Sequence, residues 1–325
     1  MKKHYTLIIC SVTCMISIII SPLNFAAHND NPPVWEIGDN WTYHINNVEI
    51  NIDNDDMFAH ILLVFDDVSL ELTQDSGDTY TVKLSTRLNG DFSVRIDAAQ
   101  IKISGQFAPL LPTKLNGILS VDKSSLGLKN VALDVSAYVK AKIAENPVIP
   151  ISLPSILIPA KINAYAGFEN PFALLDFPMD VFKTWGVSEN EISVDGIIQS
   201  IWLRLFNVIN NILTRLNIEL IPQEIAQFFP EMNIPDILAQ IGFPSVIDVP
   251  PFEPLFFCLS DEMITVDAGS YDTYNVTIGI PNTEFDFGHF YYAPAAGKII
   301  KMLMYTSRFS DISDIYIELI DTNYG

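Results

Sequence analysis

Five histidines and three cysteines are the residues whose chemistry depends most on spacing. His4, His28, His44, His60 and His289 stand far apart, and no pair has the H-x-x-x-H spacing that sets two imidazoles on one helix face for a metal. Isolated surface or edge-strand imidazoles are expected, and no metal site. Cys10 and Cys14 lie in an apolar leader, and Cys258 sits in the run Leu255–Leu259, where a desolvated thiol is inert. Three cysteines support neither a disulfide scaffold nor a Cys-based zinc site. There is no G-x-S-x-G elbow, phosphate-binding G-x-x-x-x-G-K-[ST] loop or G-x-G-x-x-G fingerprint. Asp53-Asn54-Asp55-Asp56 opens like a calcium loop but lacks the glycine and the distal glutamate, so it reads as a solvated acidic turn. Asp261-Glu262 and Asp311/Asp314 read as surface charge. No catalytic residue and no cofactor emerge, and an enzyme is not expected.

The elements around these residues carry more information. The chain of 325 residues is ample for a sizeable core, and 49% apolar residues with only 18% charged exclude a disordered chain. A formal charge of −21 repels phosphate backbones, so no nucleic-acid partner is expected. After the leader no stretch is apolar enough for a multi-span membrane protein.

Residues 1–27 have the form of a secretory signal peptide. Lys2 and Lys3 are its positive start, Leu7–Ile20 its apolar core, and Ala26-Ala27 a small-residue cleavage site. The mature chain, 28–325, is expected as one domain outside the cytoplasm, secreted or at the cell surface, an uncleaved anchor being the alternative. In that compartment Asn40-Trp41-Thr42 and Asn275-Val276-Thr277 make Asn40 and Asn275 glycan acceptors.

Strands dominate the pattern. Trp41–Asn51, Phe58–Thr73, Tyr80–Leu88 and Phe92–Ile103 are rich in β-branched and aromatic residues, with Asn89-Gly90-Asp91 read as a hairpin turn. Val131–Ile143 alternates without a break, so one face is buried and the other is wet. A last block covers Met263–Ile280, His289–Tyr292, Lys298–Thr306 and Asp314–Ile320. Antiparallel pairing is expected, because short turns leave no room for crossover helices. The middle reads as helical, over about 196–242. Asp195 can cap a helix from Gly196, and the polar residues of Ile197–Leu216 fall mostly on one narrow stripe at about 100° per residue. The remaining apolar arc includes Ile201, Trp202, Leu205, Phe206 and Ile209, and is wider than one sheet face covers. Shorter helices are expected at Gln223–Phe229 and Asp236–Ile241.

Three segments carry a likeness. They are Trp35-Glu36-Ile37-Gly38-Asp39-Asn40-Trp41-Thr42-Tyr43, then Phe177–Trp185, then Val266–Val276 continued by Tyr291-Tyr292-Ala293-Pro294-Ala295-Ala296-Gly297-Lys298-Ile299-Ile300-Lys301. Together they resemble the lipoprotein-carrier (LolA/LppX-like) superfamily, in the style of archaeal exported surface proteins. The resemblance implies an α+β fold: a large curved antiparallel β-sheet, half-barrel-like, wrapping a central hydrophobic helix. It transfers no catalytic residue.

Two functions follow as expectations. The first is an exported binding protein for an apolar ligand, a lipid or isoprenoid, held between sheet and helix by Ile201, Trp202, Leu205, Phe206 and Ile209. Peripheral association with the membrane or cell envelope goes with it. The alternative is a structural or adhesive cell-surface protein with no ligand. An interior cavity would favour the first and a filled core the second.

Overall fold

Alternation of apolar and polar side chains is answered by strands almost everywhere. The computed structural model describes residues 32–53, 57–96, 101–107, 113–145, 156–199, 231–236, 244–279, 285–308 and 311–324. In chain order the strands are β1 (Asn40–Ile45), β2 (Val48–Asp53), β3 (Met57–Phe65), β4 (Val68–Ser76), β5 (Thr79–Ile96), β6 (Ile101–Phe107), β7 (Thr113–Asp122), β8 (Leu128–Glu145) and β9 (Ile156–Phe172). They continue with β10 (Thr184–Val187), β11 (Asn190–Gln199), β12 (Glu231–Asn233), β13 (Val246–Val249), β14 (Phe252–Val266), β15 (Gly269–Gly279), β16 (Asp286–Ala293), β17 (Lys298–Met304) and β18 (Ile315–Thr322).

All of them belong to one large sheet, and every pairing is antiparallel, as the short connections require. From β4 the pairings pass through β5, β7, β8, β9 and β11 to β13. In the other direction they pass through β1, β18, β17, β16, β15 and β14 to β10. The two ends share a ladder. Trp185 pairs with Phe256 and Ile192 with Ile247, because β10 runs into β11 and β13 runs into β14. Pro250 and Pro251 interrupt this ladder, having no N–H to donate. The sheet thus curls round a shared interior.

That interior is apolar. Trp35, Trp41, Leu72, Leu119, Phe290 and Met302 are each almost wholly buried in one continuous core. No helix lies within it among the described residues. The covering segment is instead irregular, between β9 and β10, with Leu174, Leu175 and Met179 buried and Phe177 edge-on to Tyr292 at 6.0 Å. Pro171 and Pro178 disfavour a helix there. Lys183 ties the segment down, its Nζ donating to the carbonyls of Asp176 and Pro178, each at 2.7 Å.

The α+β expectation, a sheet wrapping a central helix, is therefore corrected to an antiparallel sheet that packs against itself, irregular segments and aromatic side chains. The expected start of the helix shows why. Ile197, Ile198 and Gln199 pair with β9 on one side and β12 on the other, so their amides and carbonyls are committed to two ladders. Backbone groups used in this way cannot make the i to i−4 bonds of a helix. Of the remaining expected segment, 231–233 is β12, 234–236 is helical, and 200–230 and 237–242 lie outside the described residues. Residues 1–31, with the expected signal peptide, and Asn54–Asp56 of the acidic turn also lie outside them.

One expected turn is likewise absent. β5 runs through Asn89-Gly90-Asp91 without reversing. Gly90 has φ 143°, and a Cβ there would collide with the Leu62 carbonyl. The glycine serves a close approach of β3 to β5, not a hairpin.

Candidate functional site

The first and last of the segments that carried the resemblance meet at one lysine. The turn Pro294–Ala296 ends at Gly297, whose φ of 62° suits a residue without a side chain, and the chain enters β17 with Lys298 pointing into the core. Lys298 is 0% exposed. Its Nζ lies 4.4 Å from the ring centroid of Trp35 and 4.2 Å from that of Trp41, and finds no hydrogen-bond partner among the described residues. Trp41 is fixed by its indole N–H, which donates to the Ala296 carbonyl at 3.1 Å. Tyr80 packs on Trp35 at 4.9 Å, and its Oη accepts the Trp35 backbone N–H at 3.2 Å. Burial pushes the Lys298 amine well below the usual lysine range, opposed by the charge of Asp39 and by the two ring faces. A neutral amine is a nucleophile in principle, but this one is sealed from solvent. We read it as a keystone that aligns the opening and closing segments of the chain.

Other residues singled out from the sequence are placed apart from one another. Cys258 is buried, and desolvation with the charges of Asp180 and Asp261 raises its thiol to about 11, as expected of an inert cysteine. His44 is 3.8 Å from Asp67, while His60 bonds Asn51 through Nδ1 at 2.7 Å. His289 is held below the usual histidine range by burial, edge-on to Tyr291 and Tyr305. No group of three metal-ligating side chains occurs among the described residues. Asn40 opens β1, and its backbone carbonyl accepts the Thr322 hydroxyl at 2.9 Å. Asn275 lies in β15 and donates from Nδ2 to Glu262 at 2.8 Å. Ile201, Trp202, Leu205, Phe206 and Ile209, expected to hold a ligand, lie outside the described residues.

Two of the concavities among the described residues bear on function, and neither was visible in the sequence. A cleft of about 940 Å³ lies between β10, the segment after β9 and the turn after β7, lined by Ser124, Ser125, Phe172, Phe177, Trp185 and Asn190. Asp176 also lines it, and Asp122, which accepts from the Ser124 and Ser125 hydroxyls, serves the turn. Burial alone would raise its carboxyl, but hydrogen bonds from the Ser124 hydroxyl and from Ser125 outweigh that and hold it at about 2.

The second is a groove of about 430 Å³ on the outer face of β5, β7, β8, β9 and β11. Register builds it. One wall is the cross-strand row Lys83, Ile118, Ala132, Tyr165 and Asp195. The other wall is Asn116, Asp134, Asn163 and Ile197, and the floor between them is Gly117, Leu133, Ala164 and Gly196. Floor side chains point inward, so only backbone and two glycines face the groove from below. Ile118 and Tyr165 stand 46% and 44% exposed on a wall. Asp134 accepts from Lys161 Nζ at 3.0 Å and Asn163 Nδ2 at 2.9 Å, and these partners hold its carboxyl below the usual range. The alternation of β8 had already assigned Asp134 to a wet face. What no single strand could show is that five strands in register bring these residues together.

No family model, curated protein or solved structure matches the chain.

Proposed function

We propose that the chain is a structural or adhesive protein of the cell exterior, acting through the outer surface of its sheet and carrying no ligand inside. The observation behind this reading is the continuous buried core: among the described residues Trp35, Trp41, Lys298, Phe290, Leu174 and Met179 are all buried in the interior. The strongly acidic composition suits a solvated exterior. A second reading, binding of a lipid or isoprenoid, moves from the interior to the outer groove, where Ile118 and Tyr165 leave apolar surface in water.

Native mass spectrometry of the purified protein, followed by solvent extraction, separates the two. The structural reading expects the mass of the polypeptide and its covalent modifications, with no extractable lipid. Stoichiometric lipid would overturn it in favour of the second.

A further inference from the structure

We propose that the outer face of β5, β7, β8, β9 and β11 is where two copies of this chain bind each other about a twofold axis, an inference that rests on the structural reading and gives the outer surface its partner. The centre of the face is apolar. Exposed apolar side chains are ordinarily scattered singly over a surface. Here Ile118 and Tyr165 flank Ala132 in one cross-strand row and stand 46% and 44% exposed. Tyr138, two turns of the pleat further along the same face of β8, is 37% exposed. The groove beside the row has Gly117, Ala164 and Gly196 in its floor, which leaves room for a large side chain of a partner.

Charge surrounds this centre, and it is segregated. The whole chain has 18 bases against 39 acids. Where the five strands run together, the balance is even. Three exposed bases, Lys83 and Arg87 on β5 and Lys114 on β7, stand against three exposed acids, Glu169 on β9 and Glu191 and Asp195 on β11. None of the six makes an ion pair among the described residues. Their neighbours are already matched, Lys161 to Asp134 at 3.0 Å and Lys129 to Asp122 at 3.2 Å.

Register sets the two signs at opposite corners. Lys83 and Asp195 end the row that holds Ile118 and Tyr165. Arg87 and Lys114 pair with each other toward one end of the strands, the end at which Lys161 stands on β9. Glu169 and Glu191 lie toward the other end, just past the pair Ile192 and Phe168. A face divided in this way is complementary to itself. A twofold axis in the interface, lying across the line between the corners, lays the basic corner of each copy on the acidic corner of the other. An apolar centre with a charged rim is also the usual anatomy of a protein interface. Five strands by about nine residues cover roughly 700 Å² per copy, near the ~800 Å² that each partner gives to a specific complex. Other occupants answer less of the face. A lipid would cover the centre and leave six charges unmatched. An anionic surface or polymer would meet one corner and be repelled by the other.

The test is sedimentation equilibrium of the purified protein from about 1 to 100 μM. The parent should be dimeric at the upper end of that range. Ile118→Asp should weaken the dimer at least about tenfold. Arg87→Glu with Lys114→Glu makes both corners acidic, and Glu169→Lys with Glu191→Lys makes both basic. Each double variant should be monomeric alone, and an equimolar mixture of the two should restore the dimer. All four positions are exposed, so both variants should keep the melting temperature of the parent. A parent that stays monomeric throughout overturns the proposal. So does a dimer indifferent to Ile118→Asp, or a pair of double variants that stay monomeric when mixed. Solvent extraction of the same samples keeps the wider reading apart: a monomer free of lipid sinks the interface alone, whereas stoichiometric lipid sinks the structural reading.

Discussion

Two strands of similar composition meet opposite fates. β17, Lys-Ile-Ile-Lys-Met-Leu-Met, has five of its seven residues buried, including the lysine. β3, Met-Phe-Ala-His-Ile-Leu-Leu-Val-Phe, is as apolar, yet from His60 to Phe65 every residue is only half-buried. β17 lies where the sheet curls over Trp41 and Tyr43, so its inward side chains have a facing layer. β3 pairs with β2 and with the far half of β5, from Leu88 to Ile96. Apolar sequence qualifies a strand for burial, but a second layer has to supply it. The molecule thus divides into a filled section, which holds the fold, and a long-strand section whose surfaces remain available.

The largest expected effect falls in the filled section. Trp41→Ala should cost about 3–5 kcal/mol in chemical denaturation, because it leaves a cavity against Trp35 and Lys298 and frees the Ala296 carbonyl. Tyr165→Ala, on the outer face of the long strands, should stay within about 0.5 kcal/mol. Similar losses for the two would erase the division.

A subtler effect should appear at Lys298. In the unfolded chain a lysine keeps its proton up to about pH 10.4. In the folded chain burial lowers that value, so between the two values the unfolded state binds one more proton. Stability then rises with pH across this window and is insensitive to Lys298 below it. Lys298→Met keeps the volume and removes the titration. Melting curves from pH 7 to 10 should rise for the parent and be flatter for the variant. Parallel curves would mean that the ammonium stays charged between the two rings.

Much of this was legible in the sequence, for reasons that lie in particular residues. Alternation over Val131–Ile143 became β8, since a half-buried strand imposes a period of two. Trp41 and Trp185, both in segments that carried the resemblance, are buried, each indole N–H donating to a main-chain carbonyl. The failures also have causes. Asn89-Gly90-Asp91 has the composition of a hairpin turn, but glycine also marks close backbone approach, and only the partner strand tells the two apart. Asp195 looked like a helix cap, yet its Oδ1 accepts the N–H of Gly196 within a strand, and the pairing of Ile197–Gln199 on both sides overrides helical periodicity. The groove was hidden altogether, because it depends on the register of strands far apart in the chain.

Neighbouring residues of β7 offer the most direct test. Leu119 is 0% exposed and faces the filled interior, while Ile118 is 46% exposed and faces the groove. A buried, unpaired carboxylate costs several kcal/mol wherever the surroundings are dry. Equilibrium denaturation should find Leu119→Asp unfolded or severely destabilised and Ile118→Asp close to the parent. Equal damage from both, or tolerance of Leu119→Asp, would contradict a sheet that is filled on one side and free to bind on the other.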